Sequence, residues 1–227
     1  MPITQGNSVA AAECESRQLV SDLFHQLSQP LTTLCCSLEL ALLQTPTAEQ
    51  YGEIVSHALS QAEKVSSLAT AIRELFDASL AGEGGEVMEL RRAVEEAVGD
   101  LLPVAESAGV QVCYLPGPAC PVWFDALRLR QGLFHLIGFA IGSGGPGAAV
   151  RIELAEHGAE LGLRLTISGS QGICDEPSNA NSDLELLRRL GLGIARAIFE
   201  AAGGSLSIAR SAEGRSVDVR LPRKGGR

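Results

Sequence analysis

The chain has 227 residues, of which 45% are hydrophobic and only 4% aromatic. That is enough apolar material for one large or two small domains with an aliphatic core, so a disordered tail is excluded and a β-sandwich is disfavoured. Eighteen Lys and Arg against 27 Asp and Glu leave a formal charge of −9, which disfavours the nucleic-acid backbone or an anionic membrane as the main partner.

The N-terminal stretch MPITQGNSVAAAECESRQ has no basic segment leading into an apolar one, and no apolar run approaches the roughly 20 residues needed to cross a bilayer. A cytoplasmic protein is expected. From Cys14 to about Gln44, the residues Val20, Leu23, Leu27, Leu31, Leu34, Leu38 and Ala41 recur every three or four positions, the stripe of a long amphipathic helix. On that helix His25 falls about 160° from the centre of the stripe and points to solvent, while Pro30, which lacks an N–H, predicts a kink one turn further on. Thr45-Pro46-Thr47 interrupts the helix, and Thr47-Ala48-Glu49-Gln50 forms a capping box for a second one. Its stripe runs through Tyr51, Ile54, Val55, Ala58, Ala62, Val65, Leu68, Ala69, Ile72, Leu75 and Phe76. Two helices roughly 45 Å long, at 1.5 Å per residue, cannot cover both stripes against each other, so a homodimer forming a four-helix bundle is expected.

Ala81-Gly82-Glu83-Gly84-Gly85 reads as a linker, and the charge changes there: residues 1–84 hold three basic and ten acidic side chains, residues 85–227 fifteen and seventeen. Two domains are expected, 13–81 and 86–222. The second should run as an extended Val87–Leu90, helix Arg91–Ala108, strand Val110–Tyr114, a Pro-rich turn and helix Ala126–Ile141. Strands Ala148–Glu156 and Leu161–Ser168, a polar loop, a helix from about Leu184 to Ala202, and strands Ser205–Ala209 and Val217–Leu221 complete it. Helices beside an antiparallel-rich sheet make the class α+β. The six cysteines form no CxxC pair and no His stands at ligand spacing from them, so no metal site is expected.

The run Phe24-His25-Gln26-Leu27-Ser28-Gln29-Pro30-Leu31-Thr32 resembles the H-box of two-component sensor histidine kinases, commonly His-Glu-Leu-x-x-Pro-Leu. The resemblance implies that His25 is a phosphoacceptor on the first helix of a dimeric hairpin and exchanges its phosphoryl group with response-regulator aspartates. Gln26 stands where the family has the acid that takes the imidazole proton; an amide orients the ring but accepts no proton. His57 and His157 lack such a motif and are expected to be structural or solvated.

Residues 87–222 are similar to the ATP-binding domain of the same kinases, an α/β sandwich of the Bergerat type. Gly191-Leu192-Gly193-Ile194, with the helix and the Gly203-Gly204 turn that follow, resembles the family's Gly-x-Gly-Leu box, whose amides approach phosphates at a helix N-terminus. Close helix packing is the alternative reason for Gly191 and Gly193. The segment Gln131–Ala140 matches Gln-x-Leu-x-Asn-Leu-x-x-Asn-Ala with His135 and Phe139 at the two Asn positions, and a phenyl ring offers no oxygen to Mg²⁺. In Ser168-Gly169-Ser170-Gln171-Gly172-Ile173 the adenine-binding Asp of the family is replaced by Ser168, while Gly172 is kept.

Gly172, Gly191 and Gly193 thus read as vestiges of a nucleotide site, with His135, Phe139 and Ser168 as substituted ligand positions. The combined substitutions imply a histidine phosphotransferase that does not use ATP and has no intrinsic cofactor. Its Mg²⁺ would come from the partner, a response-regulator receiver domain or a hybrid kinase. Two alternatives stay open: a divergent ATP-dependent histidine kinase, and a non-enzymatic pseudokinase scaffold.

Overall fold

The computed structural model describes residues 27–43, 46–79, 84–158, 160–169, 183–211 and 214–223. Residues 27–43 form helix α1, followed by α2 (Ala48–Ser79), β1 (Glu86–Glu89), α3 (Leu90–Ser107), β2 (Gln111–Leu115), β3 (Pro121–Phe124) and α4 (Ala126–Gly144). Then come β4 (Ala149–His157), β5 (Glu160–Ser168), α5 (Asp183–Ala201), β6 (Ser205–Ser211) and β7 (Gly214–Pro222). The chain divides into two compact units, one comprising the described residues up to Thr70 with 183–186, the other Ala71 onward without those four.

The first unit is a helical hairpin. Its second helix starts where the capping box demands: the Thr47 N–H donates to Gln50 Oε1 at 2.9 Å and the Gln50 N–H to Thr47 Oγ1 at 3.3 Å, so two amides without helical partners are satisfied reciprocally. Pro30 lies buried within α1. Part of the predicted apolar surface is nevertheless open, with Leu31 at 43%, Leu38 at 42% and Val55 at 59%, and beside the stripes Leu42, Leu43 and Leu59 are exposed as well.

The second unit is a two-layer α/β sandwich built on a five-stranded sheet of order β2-β4-β5-β7-β6. β2 runs parallel to β4 and the remaining neighbours are antiparallel. Alternation along β5 buries Leu161, Leu163, Leu165 and Ile167 on one face, as the two-residue period of a half-covered strand requires. Against that face α3 turns Leu90, Val94, Ala97, Leu101 and Ala105 inward at helical spacing, and α4 adds Leu129, Leu133, Leu136 and Ile137. Gly132 lets α5 come close to α4, because a Cβ there would stand 3.1 Å from Ile198 Cγ2 and 3.2 Å from the Phe199 ring.

The Pro-rich segment expected to be only a turn contains a strand, β3, which pairs antiparallel with β1 through Val87–Trp123 and Met88–Val122. Pro121 opens it, a position where the missing N–H is tolerated. Glu89 fixes the approach: its carboxylate accepts the Cys120 N–H at 2.7 Å, and the Leu90 N–H donates to the Cys120 carbonyl at 3.0 Å.

A Gly132→Val substitution places branched carbons into this helix contact and is expected to destabilise the second unit by about 2 kcal/mol through overpacking. Urea titration checks it: the midpoint falls with the slope unchanged.

Candidate functional site

Of the residues singled out in the sequence, His25, Gln26 and Gly172 lie outside the described residues. Pro30 lies on α1, and the others fall on α4, β5 and α5. Asp125 caps α4, its side chain accepting the Arg128 N–H at 2.9 Å, and this start sets the phase that puts His135 and Phe139, four residues apart, on one face. Phe139 is only 6% exposed and belongs to the core. His135 is half-buried, and its Nε2 lies 3.0 Å from Glu74 Oε2, the imidazole N–H donating to the carboxylate. Ser168 ends β5 opposite Ala149, and its hydroxyl donates to the Ala149 carbonyl at 3.4 Å.

Gly191 and Gly193 do not stand at a helix N-terminus. α5 begins at Asp183, so Gly191 is well inside it. Only the first four amides of a helix lack partners within it, and the expected phosphate-approaching amides are therefore taken up in the helical ladder. Packing bears on Gly191, where a Cβ would stand 3.4 Å from His135 Nδ1, while one at 193 would meet Leu75 Cδ1 at 3.6 Å, an ordinary contact that leaves Gly193 without a packing reason.

The last turns of α2 complete the arrangement; the sequence places Leu75 on the apolar stripe of this helix, but nothing local announced Glu74 or the partners of either. Glu74 reaches His135, Leu75 lies against Gly193, and Arg128 donates to the final carbonyls, Ala78 O at 3.2 Å and Asp77 O at 2.9 Å. A cation on unsatisfied carbonyls at a helix C-terminus is favourable both as a hydrogen bond and with respect to the macrodipole. The Asp125-x-x-Arg128 spacing after a strand was a readable cap signal; the partner carbonyls, some 50 residues away, were not.

These side chains do not fit a magnesium–nucleotide at the two Asn positions of the family pattern. Phe139 has no donor atom, the Nε2 of His135 is engaged by Glu74, and among the described residues no group of three His, Cys, Asp or Glu could hold a metal. A cavity of about 250 Å³ opens elsewhere, at the start of α4, between Trp123, Phe124, Asp125, Arg128 and Ile198. Arg128 is seven residues before His135, roughly two helical turns away. Among the described residues no helix is long and apolar enough to cross a membrane.

No family model matches the sequence. The sensor protein IrlS of Burkholderia pseudomallei is 26% identical over 206 residues, covering 84% of this chain and 43% of its own length; the chain thus spans less than half of that relative. Among solved structures, the Acinetobacter baumannii histidine kinase AdeS matches with a TM-score of 0.62 at 20% identity, covering 88% of this chain and 98% of its own. The histidine kinase ThkA, solved in complex with the response regulator protein TrrA, matches with a TM-score of 0.68 at 15% identity, covering 99% and 68%. The shared fold is that of these kinases, a helical hairpin followed by an α/β sheet domain. A relative named as a sensor protein, together with kinase structures, overturns the expectation of an ATP-independent phosphotransferase and favours the divergent kinase.

Because Gly193 is interior to α5 with only ordinary van der Waals contact beyond it, Gly193→Ala is expected to raise stability by about 0.5–1 kcal/mol. Chemical denaturation measures it; a lower midpoint would show that position 193 is needed in a non-helical conformation.

Proposed function

We propose that this chain, a relative of the two-component sensor histidine kinases, is the phosphoacceptor and nucleotide-binding segment of a divergent histidine kinase. The observation that carries the reading is the extent of the match to IrlS: an alignment over 84% of the chain is too long to be confined to either compact unit. Hairpin and sheet domain occur together, in the order that a kinase acting on its own histidine requires.

In this reading ATP is the phosphoryl donor and His25 the acceptor. A neutral imidazole nitrogen of His25 attacks the γ-phosphorus, the bond to the ADP oxygen breaks, and the ring loses its N–H proton. Gln26 orients the ring through its amide and takes no proton, so the proton passes to solvent or to a group outside the H-box. Phe139 and the Glu74-bound His135 give the metal of the nucleotide no ligand. Two copies pair through the hairpin; the exposed Leu42, Leu43, Val55 and Leu59 support this, since they leave an apolar surface that one copy does not cover. The partner that takes the phosphoryl group is a response-regulator receiver domain, by analogy with the ThkA complex. A cytoplasmic location suits both ATP and such a partner.

A scaffold without catalysis is the second reading, and Phe139 is the observation in its favour. The deciding experiment incubates the purified chain with γ-labelled ATP and Mg²⁺ and follows acid-labile label. Wild type is expected to take up label that a receiver domain then removes, and His25→Ala to stay at background. A folded wild type that takes no label from ATP would overturn the kinase in favour of the scaffold.

A further inference from the structure

β3 ends on Trp123 and Phe124, and the two rings have different surroundings. Phe124 is 5% exposed and meets Phe199 in the core, while Trp123 is 54% exposed, which leaves about half of an indole open to solvent. Gly85 makes room for it, since a Cβ there would stand 2.6 Å from the indole Nε1. Trp123 lines the cavity of about 250 Å³ at the start of α4. Phe124 and Ile198, both buried, line it too, as do Ala201 and Ala202 at the end of α5, which offer nothing larger than a methyl group. All of these residues belong to the sheet unit.

The charges around this cavity differ in how far they are already answered. Arg128 donates from both terminal nitrogens to the Asp77 and Ala78 carbonyls, so its positive charge is set against the end of α2. Asp125 uses one oxygen, Oδ1, to cap α4, and an ionised carboxylate accepts more than one hydrogen bond. α5 ends at Ala201 with Glu200 and no basic residue in its last turn. The Gly203 and Gly204 amides take up the Glu200 and Phe199 carbonyls but bring no charge, so the negative end of this helix meets the cavity without a cation of its own. Indole, carboxylate and helix C-terminus all favour positive charge. Among the described residues no group of three His, Cys, Asp or Glu could hold a metal. Apolar walls suit an alkylated ammonium, which needs few hydrogen bonds, better than the strongly hydrated head of a primary amine.

We propose that the cavity beside Trp123 binds a small organic cation, an ammonium carrying alkyl groups. The indole and the alanine methyls receive the alkyl groups, and Asp125 supplies the counter-charge. An anion would face Asp125 and the end of α5, with the Arg128 guanidinium already donating to two carbonyls. The site involves neither nucleotide nor phosphoryl transfer and is independent of the kinase reading. By linkage the cation stabilises the folded sheet unit, because the unfolded chain has no cavity to hold it.

Choline is the probe, and the neutral alcohol of the same shape, with carbon in place of the nitrogen, is its control. Each is titrated into the full chain at constant ionic strength. The emission of Trp123, the single tryptophan of the chain, and the thermal midpoint are followed. Choline is expected to give a saturable change in emission and to raise the midpoint, with the alcohol binding at least about fivefold more weakly. Asp125→Asn keeps a residue that caps helices and removes the charge, and is expected to weaken choline binding about threefold to fivefold. Ala202→Leu fills the cavity and should abolish the response, while Arg92→Gln, in an exposed pair with Glu96 on α3, should leave it unchanged. A folded wild type without a saturable response overturns the site, and so does an alcohol that binds as tightly as choline. Wild-type affinity in a folded Ala202→Leu or Asp125→Asn variant would place the cation elsewhere and overturn the assignment equally.

Discussion

The close approach of α5 to α4 is the constraint on which the sheet unit turns. With no Cβ at Gly132, Ile198 and Phe199 take up the space beside α4 that a side chain there would crowd, and Phe199 meets Phe124 edge-on at 6.2 Å. That pairing ties the C-terminal half of α5 to the end of β3, and so couples the two-stranded β1–β3 ribbon to the main core. Further along, the same closeness brings Gly191 beside His135. Between helices this near, a side chain must be small, apolar or paired. Phe139 takes the apolar route, and His135 the paired one.

The hairpin obeys a different constraint. Its capping box fixes where α2 begins, but its apolar side chains lie along two helices with no sheet in their own unit to cover them. Their exposure follows from geometry, since two cylinders share only a narrow contact and leave the flanks of each stripe open. The charge distribution points the same way. Among the described residues, Glu39, Glu49, Glu53 and Glu63 are all exposed on these helices, so the acidic side chains there face water rather than the stripes.

Where local chemistry decides, the sequence was legible. Thr47 and Gln50 specify a helix start through bonds three residues apart, and the alternation in Leu161–Ile167 specifies a half-buried strand, so both elements were readable residue by residue. β3 was hidden because Pro116, Pro118 and Pro121 crowd around it; its strand character comes from pairing with β1, some thirty residues earlier, through Glu89 and Cys120. The glycine pair was misplaced for a related reason. Gly191-Leu192-Gly193 has the composition of a phosphate loop, and only the proximity of His135 gives the missing side chain at 191 a packing role. Glu74 carried no signal at all, because its significance depends on a histidine 61 positions away.

The substitutions at 135 and 139 bear on energetics as much as on ligation. An asparagine at the buried position 139 would leave amide donors and acceptors without water, a cost of roughly 1–3 kcal/mol that a bound polar ligand relieves. Phe139 removes that cost: the empty face is apolar and packed, and the unliganded fold is the one that gains. His135 acts in the same direction, because Glu74 satisfies it without any ligand. A site whose residues are satisfied when empty gives a ligand less to satisfy, so any affinity there has to come from the ligand's other contacts. Kinship with sensor kinases and the loss of the two amide positions are therefore compatible.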